Sequence, residues 1–224
     1  MSKMSESDSQ IMKEKIINVL KWIFSSFIWL GVLLLIIDFV TKQVIVTNKD
    51  AILASGGIDI IPGFLGINYV INHNFVFGIS TFDPMVNRVV FCVVALSIVV
   101  VILIFMVIKW GKINKFYRAC LMMIIAGAIG NVIDRIFYTP EFLGDANGVV
   151  DWIDFYGIWK FNFNIADSSV VVAAIMLIIY MIVHDAKEAI EKKKNEPKVE
   201  VDNTKVLSKT EQEKNKYLDQ KQDE

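Results

Sequence analysis

Four long apolar runs constrain this chain more than any other feature of it. Trp22 to Val40, Val89 to Ile108, Tyr117 to Phe137 and Phe163 to Val183 each come close to the roughly 20 residues that a helix needs to cross a bilayer. A soluble domain would scatter its apolar residues at helix or strand period. Here 54% of the 224 residues are hydrophobic, and they are gathered into runs nearly free of charge. The first run is long for a signal peptide, and Asp38 to Lys42 follows it instead of a small-x-small cleavage site, so it reads as a retained helix. The expected fold class is an all-α integral membrane protein with four transmembrane helices and a small extracytoplasmic β-sheet between helices one and two. Ile58–Ile61 and Ile67–Ile71, flanking Pro62-Gly63, supply the strand signals in that connection.

Lysine and arginine placement sets the expected orientation. The arm before the first run holds Lys3, Lys13, Lys15 and Lys21, and the short loop between runs two and three holds Lys109, Lys112, Lys115 and Arg118. Ten lysines follow run four, whereas the other two connections carry only Lys42, Lys49, Arg88, Arg135 and Lys160 over far more residues. Basic segments stay in the cytoplasm, so both termini are expected inside a bacterial cell membrane. The organisation that follows is a cytoplasmic arm (1–21), a membrane domain (22–184, with its external β element at about 43–88) and a charged, disordered cytoplasmic tail (185–224). Acids are interspersed with the bases, so no nucleic-acid partner is expected. Cys92 and Cys120 fall near opposite membrane surfaces, too far apart for a disulfide, and read as buried small hydrophobes.

Ionisable residues in or beside membrane helices are costly and point to function. Asp38, Asn131, Asp134, Arg135, Asp151, Asn164 and Asp167 come from distant parts of the chain, yet all fall at the outer level of the predicted helices. Each has a plainer reading. Arg135 could snorkel to headgroups, Asp38 and Lys42 could form an i,i+4 ion pair, and Asp167 or Asn164 could cap the last helix. None of these explains the shared depth. A transporter or assembly factor stays as the alternative, although polar steps across the whole depth are missing. His73 is the only external histidine, which leaves histidine-based nucleophilic sites and zinc unsupported, and no metal or cofactor is expected. A serine–lysine pair, Lys42 with Ser80 or Ser168, has no motif behind it. Two carboxylates sharing a proton, one activating water while the other polarises a carbonyl, remain.

At this point the residues resemble the lipoprotein signal peptidase (signal peptidase II) family. Asp38-Phe-Val-Thr41-Lys42 resembles its D-x-x-T-K box, and Ile61-Pro-Gly-Phe64 with Tyr69-Val-Ile-Asn72 is similar to the strand leading into N-x-G-A-A-F. Ala126 to Arg135 resembles G-G-A-x-G-N-x-I-D-R, Gly148-Val-Val-Asp151 resembles G-x-V-V-D, and Phe163 to Ser168 resembles F-N-x-A-D-S. The resemblance covers about residues 22–184 with the boxes in family order. It implies an aspartic endopeptidase with Asp151 and Asp167 as the catalytic pair. Asp38, Lys42, Asn72, Asn131, Arg135 and Asn164 are implied as substrate-binding or supporting residues. The implied partners are membrane lipids and diacylglyceryl-modified prolipoproteins, cut just before the lipidated cysteine at the outer face of the membrane. The chain departs from the pattern at Asn74-Phe75-Val76, where small residues are expected, and in the added stretch Thr139 to Ala146.

Overall fold

The computed structural model describes residues 6–73, 83–137, 148–156 and 158–195. Helix α1 (Glu6–Ser26) precedes α2 (Ile28–Thr47) and the short α3 (Lys49–Ser55). Strands β1 (Ile58–Ile61) and β2 (Leu65–Asn72) follow, then α4 (Pro84–Lys109), α5 (Lys115–Phe137), β3 (Val149–Asp154) and α6 (Ile165–Asn195). Among the described residues, four helices are long and apolar enough to span a membrane: α2, α4, α5 and α6.

The helix α5 is central. Of its apolar window 56% is buried, against 17–22% for the other three, whose outward faces carry exposed residues such as Val101, Val107 and Ile182. Exposed side chains of that kind suit a hydrocarbon solvent. Glycine permits the close approaches. A Cβ at Gly31 on α2 would stand 2.9 Å from the Met122 side chain, and one at Gly130 on α5 would stand 2.9 Å from the Asp38 carboxylate and 3.1 Å from Ala166 Cβ.

Two expectations from the sequence are corrected here. The first apolar run is not one helix from Trp22, because the chain breaks at Phe27, which adopts a left-handed φ of 61°. What read as a polar arm is helical from Glu6, and the first span runs from Ile28 to Thr47. Nor is the sheet confined to the connection between spans one and two. It is three-stranded and antiparallel in the order β1-β2-β3, and its third strand comes from the segment between spans three and four. The turn Ile61-Pro62-Gly63-Phe64 joins β1 to β2, closed by the Phe64 amide donating to the Ile61 carbonyl (2.9 Å), with Gly63 at φ 72°.

Alternation along β3 then places the chemistry. Val150 packs with Ile45, Val46 and Ile52 in an apolar cluster, and Trp152 packs against it. Val149 and Asp151, one residue out of phase, face the opposite side, where a cavity opens. Beyond Tyr180 the helix α6 carries the exposed groups His184, Glu188 and Lys192, with Lys192 4.0 Å from Glu188.

Candidate active site

Asp151 is buried in β3, and both its oxygens accept hydrogen bonds from asparagines on other elements. Asn72 Nδ2, at the end of β2, donates to Oδ2 at 2.9 Å, and Asn164 Nδ2 donates to Oδ1 at 2.8 Å. The β2–β3 register, which sets Asn72 against Val149, brings Asn72 within reach of Asp151. Asp167 sits in the first turn of α6. Its Oδ1 accepts from Asn131 Nδ2 at 2.7 Å. Its backbone amide donates to Asn164 Oδ1 at 2.8 Å, and its Oδ2 takes the Asn164 amide at 3.4 Å in return. That reciprocal pattern is a capping box, so Asn164 and Asp167 both cap the helix while pointing into one network. Asn164 also donates to Asn131 Oδ1 at 3.1 Å, so two asparagines link the two carboxylates.

Behind this pair lies a second, fully enclosed layer. Lys42 has no exposed surface and sits 2.6 Å from Asp38 Oδ2 and 2.8 Å from Asp134 Oδ2. The remaining reach of its ammonium goes to Asn131 Oδ1 at 3.3 Å. Asp38 Oδ1 accepts the Ala166 amide at 2.9 Å, tying span one to the start of α6. One cation held between two carboxylates is a pairing in which buried charge is tolerated. Arg135 is buried a turn beyond Asn131, donates to the Asn131 carbonyl at 3.4 Å and lies 3.6 Å above the Phe91 ring of α4.

All eight residues singled out in the sequence therefore meet at one end of the helices: Asp38, Lys42, Asn72, Asn131, Arg135, Asp151, Asn164 and Asp167. Asp134, absent from the expected site set, is the second partner of Lys42. Its signal was its place one turn from Asn131 on the polar end of α5. Lys42 is fully buried between two carboxylates, and Ser168 Oγ donates to the Asn164 carbonyl at 2.8 Å, so the pairing of Lys42 with Ser168 lacks its geometry. Asn74, Phe75, Val76 and Ser80 lie outside the described residues, as does the stretch Thr139 to Ala146. Among the described residues, no group of three or more His, Cys, Asp or Glu side chains could hold a metal ion.

A cavity of about 310 Å³ opens beside the two carboxylates. Its walls are apolar, with Phe91, Val94 and Ile98 from α4 and Val170 and Val171 from α6, while Asn72, Asn131, Arg135, Asp151 and Asp167 form its polar end. Burial, chiefly, and then the charge of Asp167 push the Asp151 carboxyl up to about 8. The asparagine hydrogen bonds and the Lys42 charge only partly offset that rise. At neutral pH, Asp151 holds a proton.

Two carboxylates linked through asparagines at the polar end of an apolar cavity, on a chain with four helices long and apolar enough to cross a membrane, define a candidate membrane peptidase. Residues 30–183 match the model of the signal peptidase (SPase) II family. A lipoprotein signal peptidase of Fusobacterium nucleatum is 33% identical over 167 residues, covering 74% of this chain and 91% of that one. One from Staphylococcus aureus is 32% identical over 180 residues, covering 80% and 98%. A solved structure described as a bacterial membrane enzyme superposes with a TM-score of 0.54 at 28% identity, over 80% of this chain and 94% of its own. A second superposes at 0.53 with 30% identity, over 70% and 92%. The chain belongs to the signal peptidase II family, a family of aspartic peptidases, and is a multi-pass bacterial membrane protease.

Proposed function

We propose that this protein removes signal peptides from diacylglyceryl-modified prolipoproteins, with Asp151 and Asp167 as the catalytic pair. The observation that carries the reading is two carboxylates from separate elements, joined through Asn131 and Asn164, at the polar end of an apolar cavity. The cavity offers hydrocarbon-like walls to acyl chains and holds the scissile bond beside the acids. Asp167, supplied with N–H donors at a helix N-terminus, is suited to remain ionised and accept a proton from water. Asp151 then donates its proton to the scissile carbonyl oxygen as the water oxygen bonds to the carbon. Collapse of the tetrahedral intermediate returns a proton to Asp151 as the C–N bond breaks, and Asp167 passes its proton to the leaving amine. Asp38, Lys42 and Asp134 hold spans one and three and the start of α6 in register. Asn72, Asn131, Arg135 and Asn164 position the pair or the substrate.

Orientation belongs to the same proposal. Both termini lie in the cytoplasm, following the lysine and arginine bias, so the site opens at the outer face. The test is cleavage by the purified full-length protein of a synthetic prolipoprotein with and without its diacylglyceryl group. The lipidated form should yield a product beginning at the modified cysteine, with the unlipidated form uncut. Failure to cut the lipidated form, or equal cutting of both, contradicts the reading.

A further inference from the structure

The polar end of the cavity contains one group that the catalytic scheme above does not use. Asn162 lines the cavity together with Asp151 and Asp167, and among the described residues its side-chain Nδ2 is buried with no hydrogen-bond partner. Turning the amide over does not help, because no described residue bonds to either end of it. A buried amide left unpaired forfeits its hydration without compensation, and native proteins rarely carry such groups away from functional sites. Trp152 Nε1 is also unpaired, but it belongs to the side of β3 that packs on the apolar cluster and does not line the cavity.

We propose that the Asn162 side-chain amide donates a hydrogen bond to a carbonyl oxygen of the bound substrate, making it a further substrate-binding residue of this site. The inference rests on the peptidase reading above. Its geometry is fixed by the next residue. Phe163 bridges Ile153 of β3, donating to the Ile153 carbonyl at 3.0 Å and accepting from the Trp152 and Ile153 amides at 2.8 Å each. The Phe163 ring is further held edge-on by Phe155 at 6.0 Å and by Trp159 at 6.3 Å. In an extended segment, residues two apart project from the same side. Asn162 therefore stands on the side from which Asn164 reaches Asp151, about 7 Å further along the segment. The backbone that carries Asn162 is thus held before substrate arrives, so only the side-chain torsions are ordered by the bond.

That offset places the acceptor close to the scissile bond but not on it. A carbonyl at that distance belongs either to the substrate backbone, about two residues along an extended chain, or to an ester of the diacylglyceryl group. Both present the same sp² oxygen, and substrates separate them. A diacylglyceryl substrate carries both kinds of carbonyl, while a dialkyl ether analogue keeps only the peptide ones.

The experiment uses the full-length protein in proteoliposomes, with kcat and KM measured on both substrates and thermal unfolding measured alongside. Asn162→Leu, close in size and without a donor, should lose about tenfold in kcat/KM, the scale of one hydrogen bond worth about 1.4 kcal/mol. Asn162→Ser, which restores a donor, should recover most of that loss. Asn162→Met, similar in length and without a donor, should not. A penalty for Asn162→Leu that persists on the ether analogue assigns the contact to the peptide, and one that disappears assigns it to the ester. The inference is overturned if Asn162→Leu stays within twofold of the parent on the diacylglyceryl substrate. It is equally overturned if Asn162→Met equals the parent while Asn162→Leu falls, since side-chain shape alone would then explain the effect. Failure of the parent to cleave at all would instead strike the peptidase reading itself.

Discussion

The two ends of helix α5 carry polar clusters of opposite design. Arg118, in its first turn, donates to three backbone carbonyls: Ser25 at 3.3 Å, Trp110 at 2.6 Å and Ile113 at 3.1 Å. Its guanidinium also lies 4.1 Å over the Trp110 ring. A single cation gathers the ends of α1 and α4, where unpaired carbonyls and the helix dipoles favour positive charge. These attractive contacts outnumber the costs, which are a buried Nε without a hydrogen-bond partner among the described residues and a positive charge at the N-terminal end of α5. Roughly 25 Å away along the helix, Asn131, Asp134 and Arg135 join a cluster with more carboxylates than cations, and two of its acids line a cavity. Like charges set close in a desolvated place work against stability, and such a cluster persists because chemistry needs it. The comparison separates polar groups that build the protein from polar groups held at a cost.

Five substitutions would break or sharpen that contrast. The largest effect is expected from Asp151→Asn or Asp167→Asn, each of which should lower kcat on a lipidated substrate by about 10²- to 10⁴-fold, the range of general acid–base catalysis. The double variant should be little worse than either single one, because the pair acts as a unit. Thermal unfolding at neutral pH should stay near the parent's for Asp151→Asn, which replaces a protonated carboxyl, and be unchanged or raised for Asp167→Asn, which removes a buried charge. Lys42→Met should behave in the opposite way and destabilise by about 3–5 kcal/mol, because Asp38 and Asp134 would be left buried without their cation. Denaturation in detergent reads this directly, and an unfolding midpoint equal to the parent's would show that the triad is not structural.

Arg118→Leu should cost about 1.5–3 kcal/mol, the value of hydrogen bonds to a charged group, with kcat of the folded fraction unaltered. A matching loss of kcat would mean that the two ends are coupled. Gly130→Ala places a methyl 2.9 Å from Asp38 Oδ2 and 3.1 Å from Ala166 Cβ. It should cost about 1–3 kcal/mol as overpacking, with a modest fall in activity as the start of α6 shifts.

The sequence exposed these two clusters unequally. The spans were legible because a bilayer demands runs of apolar residues, and those runs leave little ambiguity. Most of the site residues were legible because polar and charged groups at the end of a membrane helix are rare enough to stand out, whereas Asn72 came only from the family resemblance. Helix α1 was not, since Ile11, Met12, Ile16, Ile17 and Leu20 alternate with lysines and glutamate, and the break at Phe27 leaves no glycine or proline to mark it. Strand β3 was hidden because Val149 to Asp154 is short and has an acid at its centre, which a strand pattern alone does not favour. Asp134 stood out among the outer-level polar residues but was given no role, for a related reason. Its partner Lys42 is 92 positions away, and the i,i+4 spacing of Asp38 and Lys42 already offered that lysine a local partner. Arg118 was counted only as one of the positive charges that orient the chain, because backbone carbonyls as partners cannot be read from side-chain types.

The pH dependence of kcat/KM tests the central claim most directly, that Asp151 and Asp167 share one proton. Burial and the charge of Asp167 raise the Asp151 carboxyl to about 8, so its proton is present through neutrality and is lost as the pH rises through that value. The folded protein loses stability earlier, as the pH rises from the ordinary carboxylate range of about 4 towards about 8, because over that window the unfolded chain gives up the proton that the folded site still holds. Activity on a diacylglyceryl-modified substrate should therefore form a bell whose basic limb falls near pH 8, with the acid limb marking protonation of the second carboxylate. A profile that stays level from pH 8 to 10, or that keeps rising there as a lysine loses its proton, would contradict a shared-proton carboxylate pair.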